Sequence, residues 1–426
     1  MQTSFTLAQL ADPGIEDANA ILRACVHCGF CNATCPTYAL LGDELDGPRG
    51  RIYLIKDMLE HERAASADVA LHIDRCLSCL SCMTTCPSTV HYMHLVDLAR
   101  QRIEATFRRP FADRALRAMI ALVLPRPILF RAASIMGSTL APLARRLPGR
   151  IGAMARLLPA RVPEPGLVER PQVFAPEGKA KKRVALLTGC VQSVLAPNIN
   201  AATVRLLTRH GCAVVVAKGA GCCGGLIHHM GRDALAFARA NIDAWTAELD
   251  ADGLDAIIVN TSGCGVTVKD YGHMLREDRR YAAAAARISA LAKDLCEFMA
   301  ELGLKPPVAA TGQRVAYHAA CSLQHGQRIR EEPKRLLRAA GFAVLDVPEG
   351  HLCCGSAGTY NILQPELAGA LRARKLANIA QTAPECVATG NLGCIVQLEG
   401  GAGVPVLHTA ELLDWATGGP RPEALA

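Results

Sequence analysis

Two cysteine runs near the N-terminus have the residue types and spacing for metal chemistry. Cys25, Cys28, Cys31 and Cys35 precede Pro36, and Cys76, Cys79, Cys82 and Cys86 precede Pro87, so both runs read C-x2-C-x2-C-x3-C-P. Three thiolates two residues apart can curl around three corners of a cube, and the fourth corner must be reached from farther along the chain. In bacterial two-cluster ferredoxins with this spacing, the fourth cysteine serves the other [4Fe–4S] cluster. Tetrahedral zinc takes two separated C-x-x-C knuckles, which would leave a third thiolate surplus. A disulfide framework belongs to exported chains. Met1–Ala20 has no basic start and no apolar stretch, and it carries Asp12, Glu16 and Asp17, so no signal peptide is expected. The runs therefore predict iron–sulfur chemistry in a reducing compartment.

A second cysteine pattern fills the C-terminal half. Cys190, Cys222-Cys223-Gly224 and Cys264 recur as Cys321, Cys353-Cys354-Gly355 and Cys394. The step from single cysteine to pair is 32 residues in both copies, the next step is 41 or 40, and the copies are offset by 131. An internal repeat of this kind is one structural unit used twice. Four thiols gathered twice point to cofactor or thiol chemistry rather than inert packing. Gly219-Ala-Gly221-Cys-Cys-Gly224 also matches a dinucleotide fingerprint, with Asp243 at about the right distance. The second copy reads Gly350-His-Leu-Cys-Cys-Gly355 and lacks the middle glycine, and Asp243 falls inside a predicted helix, so the nucleotide reading is set aside.

The elements that must position these thiols follow from periodicity. In each repeat the short apolar runs Arg183–Cys190 and Arg314–Cys321 read as strands ending at the single cysteine. Cys212–Ala217 and Phe342–Val347 lead to the pair, and Ala256–Asn260 and Cys386–Thr389 lead to the last cysteine. Helical stretches Asn200–His210, Asp233–Leu249, Glu331–Ala340 and Pro365–Thr382 alternate with them. Strands alternating with helices predict parallel α/β units, in which sites form beyond the carboxyl ends of strands. All the repeat cysteines fall there. Cys212, Cys296 and Cys386 match no motif and read as core. Around the first runs, the 40 residues from Cys35 to Cys76 are too many for a hairpin ferredoxin. Ile52, Leu54, Ile55, Met58 and Leu59 are spaced for a helix, and Pro36 and Pro87 suit the first turn of a following helix. The fold class is then α plus α/β. Residues 1–100 form a helical two-cluster ferredoxin module, 101–182 a basic helical connector and linker, and 183–305 and 306–426 two cysteine-rich α/β repeats.

At 426 residues the chain holds two or three domains. Aromatics are 4%, too few for a base-stacking surface, and no nucleic-acid partner is expected. Net charge is +7, yet residues 101–183 carry 17 Lys/Arg against 5 Asp/Glu. The longest charge-free stretch there, Ala132–Ala144, has 13 residues, short of the roughly 20 a membrane span requires. The segment reads as a bracket packed on the protein, ahead of a basic helix lying on an anionic membrane face.

Tandem runs followed by two Cys-Cys-Gly units resemble the iron–sulfur subunits of membrane-associated oxidoreductases. These include glycolate oxidase, L-lactate oxidation proteins, the anaerobic glycerol-3-phosphate dehydrogenase C subunit and heterodisulfide reductase. Leu22–Cys31, Leu41–Ile55 and His351–Tyr360 resemble the glycolate oxidase iron–sulfur subunit family in particular. The resemblance implies one [4Fe–4S] cluster on Cys25, Cys28, Cys31 and Cys86 and a second on Cys76, Cys79, Cys82 and Cys35. Further cluster or thiol sites would use Cys190, Cys222, Cys223 and Cys264, and Cys321, Cys353, Cys354 and Cys394. The implied partners are FAD-containing glycolate oxidase subunits that oxidise glycolate to glyoxylate, with a quinone acceptor and a peripheral contact at the cytoplasmic face of the inner membrane. In the family's Asp46-Gly-Pro-Arg49-Gly-Arg51, docking or capping of the cluster helices is expected.

Heterodisulfide reductase units carry a fifth cysteine three residues before the last; here Thr261 and Asn391 stand at those places. His318, three residues before Cys321, has Leu187 as its counterpart in the first copy and reads as a satisfied core histidine, ahead of a ligand or hydrogen-bond donor in the second copy only. With no flavin motif and no acid–base constellation, no catalytic residue is expected, and the chain reads as an electron relay. The alternatives are the same relay serving lactate or glycerol 3-phosphate, or a heterodisulfide-reductase-like thiol–disulfide enzyme.

Overall fold

The computed structural model describes residues 1–309 and 311–425. Its N-terminal part is helical. Helix α1 (Pro13–Ala24) starts on Asp12, whose carboxylate accepts from the Gly14 amide at 2.7 Å, and delivers Cys25 at its end. Helix α2 (Pro48–Glu60) lies between the runs and buries Ile52, Ile55 and Met58, as its spacing predicts. Helix α3 (Tyr92–Thr106) follows the second run and buries Leu95, Val96 and Ile103. Leu22 and Ile73 join these side chains in one apolar core. Pro36 opens a short helix, Pro36–Leu41. Pro87 does not: residues 87–91 form a turn through Thr89 at φ +52°, and α3 begins only at Tyr92. Val90 and Tyr92 both enter the core, and side chains two residues apart share a side only in extended chain.

The connector contains α4 (Phe111–Val123), α5 (Pro127–Ala144) and α6 (Gly149–Leu157). Part of its positive charge is neutralised internally. Arg117 pairs with Asp74 at 3.1 Å and with Asp113 at 3.0 Å, and Arg150 pairs with Asp113 at 2.6 Å. Helix α5 runs 18 residues, beyond the charge-free stretch, because Arg131 turns inward and donates to the Ser193 carbonyl at 3.2 Å. By length and a mean hydropathy of 1.2 it is long and apolar enough to cross a bilayer, where counting charges predicted no such helix; 17% of it is buried in the protein. Ile128, Met136, Leu140 and Leu143 of α5 are exposed.

The C-terminal half forms two sheets. Strands β1 (Gln172–Phe174), β2 (Lys182–Leu187), β3 (Cys212–Val216), β4 (Ala256–Val259) and β5 (Ala292–Asp294) order as β1-β3-β2-β4-β5, with only β1 antiparallel. Strands β6 (Arg314–Tyr317), β7 (Ala343–Asp346), β8 (Cys386–Thr389) and β9 (Val406–His408) order as β7-β6-β8-β9, all parallel. The second order repeats the first without its edge strand. Central strands buried on both faces need continuous apolar runs, and Val184–Leu187 and Ala256–Val259 supply them. Helices α7 (Pro197–Arg209), α8 (Leu235–Ala251), α9 (Leu295–Leu302), α10 (Glu332–Ala339), α11 (Pro365–Ala380) and α12 (Thr409–Ala416) flank the sheets. The repeats exchange helices: α12 packs on α7 and α9 on α10. One core joins Leu186 and Ile258 to Tyr317, Leu407 and Trp415. Buried Asp414 accepts from Arg205 and Arg209, each at 2.8 Å, across the same boundary. Cys212, Cys296 and Cys386 lie in this core.

Candidate metal centres

The two cysteine runs wrap in the same way. His27 (φ +60°) and Gly29 (φ +84°) are left-handed in the first, and Ser78 (φ +49°) and Leu80 (φ +62°) match them in the second. Alternating left-handed residues bend the chain so that three sulfurs turn inward. For residues other than glycine this conformation costs roughly 1–2 kcal/mol each. Strain kept at matching positions of both runs is a mark of function. Gly29 lies beneath Arg49, whose Nη1 would be 2.5 Å from an added Cβ, and its φ of +84° favours glycine there.

Thr34 and Thr85, each just before the fourth cysteine of its run, share a hydrogen bond of 3.0 Å. The runs cross there, and each fourth cysteine sits beside the other run. Cys25, Cys28, Cys31 and Cys86 line one small recess with Ile52 and Val90. Burial, and then the neighbouring Cys25, Cys86 and Cys28, push the Cys31 thiol up to about 11. Cys79 and Cys82 are raised well above the thiol range, first by burial and then by neighbours that include Cys76 and Cys35. Such crowded thiols cannot all ionise on their own, whereas a bound metal takes them as thiolates. The first recess holds no competing carboxylate, so the donors present fit an iron–sulfur cluster. The two sets differ in exposure. Cys28 is exposed, flanked by exposed Val26 and Phe30, whereas Cys35, Cys76, Cys79 and Cys82 are all buried.

Hydrogen-bond donors aim at the buried set. Tyr92 Oη donates to Cys76 Sγ at 3.7 Å, and Arg51 Nη1 lies 3.9 Å from Cys35 Sγ; Thr37 Oγ1, 3.3 Å from the same sulfur, donates its own proton to the Asp46 carbonyl at 2.7 Å. Arg51, itself buried, also donates to the His72 carbonyl at 2.7 Å. Asp46, fully buried, pairs with Arg75 at 2.7 Å, His72 at 3.0 Å and Arg51 at 3.5 Å. Arg100 holds the second run by its backbone, donating to the Cys76 carbonyl at 2.7 Å.

In the repeats the thiols gather beyond the strand ends. In the first, the Gly224 amide donates to Cys222 Sγ at 3.3 Å and the Gly225 amide to Cys223 Sγ at 3.4 Å. Hydrogen bonds from Cys190 and then Cys223 pull Cys222 down to about 4, and Cys264 neighbours Cys223. In the second, the Gly355 amide donates to Cys353 Sγ at 3.4 Å, with Cys321 Sγ 3.7 Å from Cys353 Sγ and Cys354 Sγ 3.5 Å from Cys394 Sγ. Gly224 (φ +82°) and Gly355 (φ +89°) are both left-handed, which explains the glycine after each pair, and a Cβ at Gly355 would also lie 2.5 Å from the Ala368 carbonyl oxygen. Asp243 sits within α8, not at the end of a strand, and accepts from Tyr281 Oη at 2.9 Å.

His318 departs from its expected role as a satisfied core histidine. It is buried, and its Nε2 has no hydrogen-bond partner. Burial, and then Lys375, pull its pKa down to about 3 and leave the ring neutral.

The centres adjoin one another. Cys79 of the second run has Cys321 and Cys353 as neighbours, in one cluster with Leu77 and Tyr360. Tyr360 Oη donates to the Arg75 carbonyl at 3.1 Å, and His325 Nδ1 pairs with Thr84 Oγ1 at 2.7 Å, fastening the second repeat to the ferredoxin part. Between the repeats lies a largely apolar cavity of about 510 Å³. Cys190, Cys223 and Cys264 face it from one repeat and Cys321, Cys353 and Cys394 from the other, and Ile120, Phe130 and Leu157 of the connector roof it.

Comparison with known proteins agrees with this layout. Residues 21–90 match the 4Fe-4S dicluster domain, and residues 184–269 and 315–399 each match the cysteine-rich domain family. The glycolate oxidase iron-sulfur subunit of Escherichia coli (strain K12) is 44% identical over 98% of this chain and 99% of its own. The chain belongs to the glycolate oxidase iron–sulfur subunit family. A probable glycolate oxidase iron-sulfur subunit of Bacillus subtilis (strain 168) is 32% identical over 93% of this chain and 94% of its own. Lactate utilization protein A of Bacillus licheniformis is 26% identical over 54% of this chain. A crystal structure of a hypothetical protein from Helicobacter pylori shares the fold, with a TM-score of 0.53 at 10% identity over 97% of this chain and 74% of its own. Within the glycolate oxidase iron–sulfur subunit family fold, the stretch Leu41–Ile55 has a physical role: its Asp46 and Arg51 brace the buried thiol set, and its Arg49 covers Gly29. Tyr92, Thr37 and Arg100 carried no sequence signal, because their contacts with the runs exist only once α2 and α3 have packed.

Proposed function

We propose that this chain is the electron-transfer subunit of a glycolate-oxidising complex, taking electrons from FAD-containing partner subunits and delivering them to a quinone-type acceptor. When bound, [4Fe–4S] clusters supply one-electron storage at low to moderate potential. Cys25, Cys28, Cys31 and Cys86 would hold one and Cys76, Cys79, Cys82 and Cys35 the other, and the repeat thiols would hold further centres. The observation that carries this reading is the unbroken succession of thiol sets. It starts at exposed Cys28, passes the buried set through Cys31 and Cys82, and reaches Cys321 and Cys353 through Cys79. Exposed Val26 and Phe30 offer the partner an apolar surface at the exposed end. Tyr92 and Arg51 tune the buried set through donors to sulfur, and the surrounding core keeps water from it. The apolar cavity between the repeats, roofed by helices whose outer faces are apolar, suits a hydrophobic acceptor at a membrane surface.

Co-expression with the flavin subunits tests this directly. The complex should reduce a dye in response to glycolate, and replacing Cys28 or Cys79 with Ser should abolish that reduction while leaving flavin reduction intact. Full activity in a flavoprotein lacking this chain would refute the relay.

A further inference from the structure

The repeats are alike in their thiols and differ in the side chains beside them. Where the first repeat has buried Leu187, the second has His318, just after β6. Its backbone amide is used, donating to the Ala388 carbonyl at 2.9 Å. Its Nε2 is enclosed without a partner. Buried polar atoms are nearly always paired, so an orphaned one signals a missing neighbour. The neighbours on offer are sulfurs. A ring nitrogen of His318 and the sulfurs of Cys354 and Cys394 all lie within 4.8 Å of one another. The two sulfurs are 3.5 Å apart, close to the roughly 3.8 Å edge of a tetrahedron with metal–sulfur bonds of about 2.3 Å. Two thiols at one edge and an imidazole nitrogen within 4.8 Å of both make a ligand set for a metal centre.

We propose that a ring nitrogen of His318 joins the thiols of the second repeat, Cys354 and Cys394 among them, as a ligand of the iron–sulfur centre there, so that this centre has mixed imidazole and thiolate ligation and the first repeat's has thiolates alone. The proposal rests on the reading that the repeats carry iron–sulfur centres. Imidazole in place of thiolate removes a negative charge from the cluster and raises its potential, as in Rieske centres. The second repeat, whose Cys321 and Cys353 adjoin Cys79, therefore holds the more oxidising of the two repeat centres. Asn391, standing where a fifth cysteine would be, donates to Cys394 Sγ at 3.4 Å and favours the same direction.

The test uses the full chain purified anaerobically from cells fed 14N- or 15N-histidine, with iron and sulfide quantitation, pulsed EPR and redox titration. Wild type should hold more than the about eight irons of two [4Fe–4S] clusters. It should also show a nitrogen coupling that changes with the isotope. His318→Leu, which copies the first repeat, and His318→Cys, which keeps a metal ligand in place, should both lose that coupling. His318→Cys should retain iron and titrate at a lower potential. A count of about eight irons in wild type would overturn both the proposal and the reading beneath it. Iron above that count, with no isotope-sensitive coupling or with one that survives in His318→Leu, would overturn the histidine ligand and leave the repeat centres standing.

Discussion

Replacing Tyr92 with Phe isolates one contribution to the buried cluster site. Tyr92 is 3% exposed, and its hydroxyl donates to Cys76 Sγ at 3.7 Å. Burial, and then the nearby Cys76, keep the phenol well above its usual titration range, so it remains a donor throughout. Tyr92→Phe retains the ring that packs with Ile52 and Leu95 and deletes only the donor. A neutral hydrogen bond contributes about 0.5–1.5 kcal/mol to stability and one to a charged acceptor about 1.5–3 kcal/mol. The fold should therefore survive with a loss near 1 kcal/mol, well below total stability. For the potential, only the difference between oxidised and reduced states counts. Reduction adds negative charge to the sulfurs, so the bond is stronger in the reduced state. If that gain is about 1 kcal/mol, a one-electron couple moves by about 40 mV, since 1.36 kcal/mol corresponds to 59 mV. The buried cluster should titrate about 40 mV more negative in an EPR-monitored redox titration, at unchanged iron content. An unchanged or more positive potential would refute the claim that Tyr92 tunes this site.

Four further outcomes follow from the same geometry. Asp46→Asn removes the anion shared by Arg51, His72 and Arg75. Stranding a buried cation costs about 3–5 kcal/mol, so thermal melting should fall sharply and iron should be lost together from the Cys35 set; a variant with wild-type melting would refute this. Gly231→Ala places a Cβ 2.3 Å from the Arg100 carbonyl at φ +78°, so it should loosen the docking of the first repeat on α3, seen as faster hydrogen exchange in residues 225–231. Raising pH should loosen the same contact. Burial lowers the His228 pKa, but the hydrogen bond and charge of Asp97, 3.2 Å away, outweigh it and the net shift is upward. A raised histidine pKa contributes stability that is complete below about 6.5 and lost as pH climbs through the folded value. Protection of this segment, with the intrinsic rise of exchange with pH divided out, should thus fall as pH climbs above about 6.5, and His228→Asn should remove that pH dependence of protection. Cys28→Ser should cost the exposed cluster alone, lowering iron by about four per chain while the buried cluster's EPR signal persists.

Much of the arrangement was legible in the cysteines because chemistry restricts their spacing. The two runs and the repeat offset of 131 residues marked every thiol set the structure brings together. The main strands were legible because parallel strands buried on both faces are uniformly apolar. Strands β1, β5 and β9 escaped notice for local reasons. Gln172–Phe174 lies among prolines and becomes a strand only by pairing with Val214–Val216, and Ala292-Lys-Asp294 and Val406–His408 are too short to show a period. Pro87 misled because the preference for proline in a helix's first turn yielded to burial of Val90 and Tyr92. Counting charge-free residues understated α5, since Arg131 finds carbonyl partners within the protein. The unpaired state of His318 Nε2 lies beyond sequence altogether: satisfaction of a buried atom is a property of its packed neighbours.

The relay itself is tested most directly by mixing the assembled complex with glycolate under anaerobic conditions and freezing samples for EPR through the first turnover. The account predicts that iron–sulfur signals from this chain appear after flavin reduction and no slower than turnover, and that they fade when a quinone is added. Sustained acceptor reduction while the clusters stay oxidised throughout would contradict it.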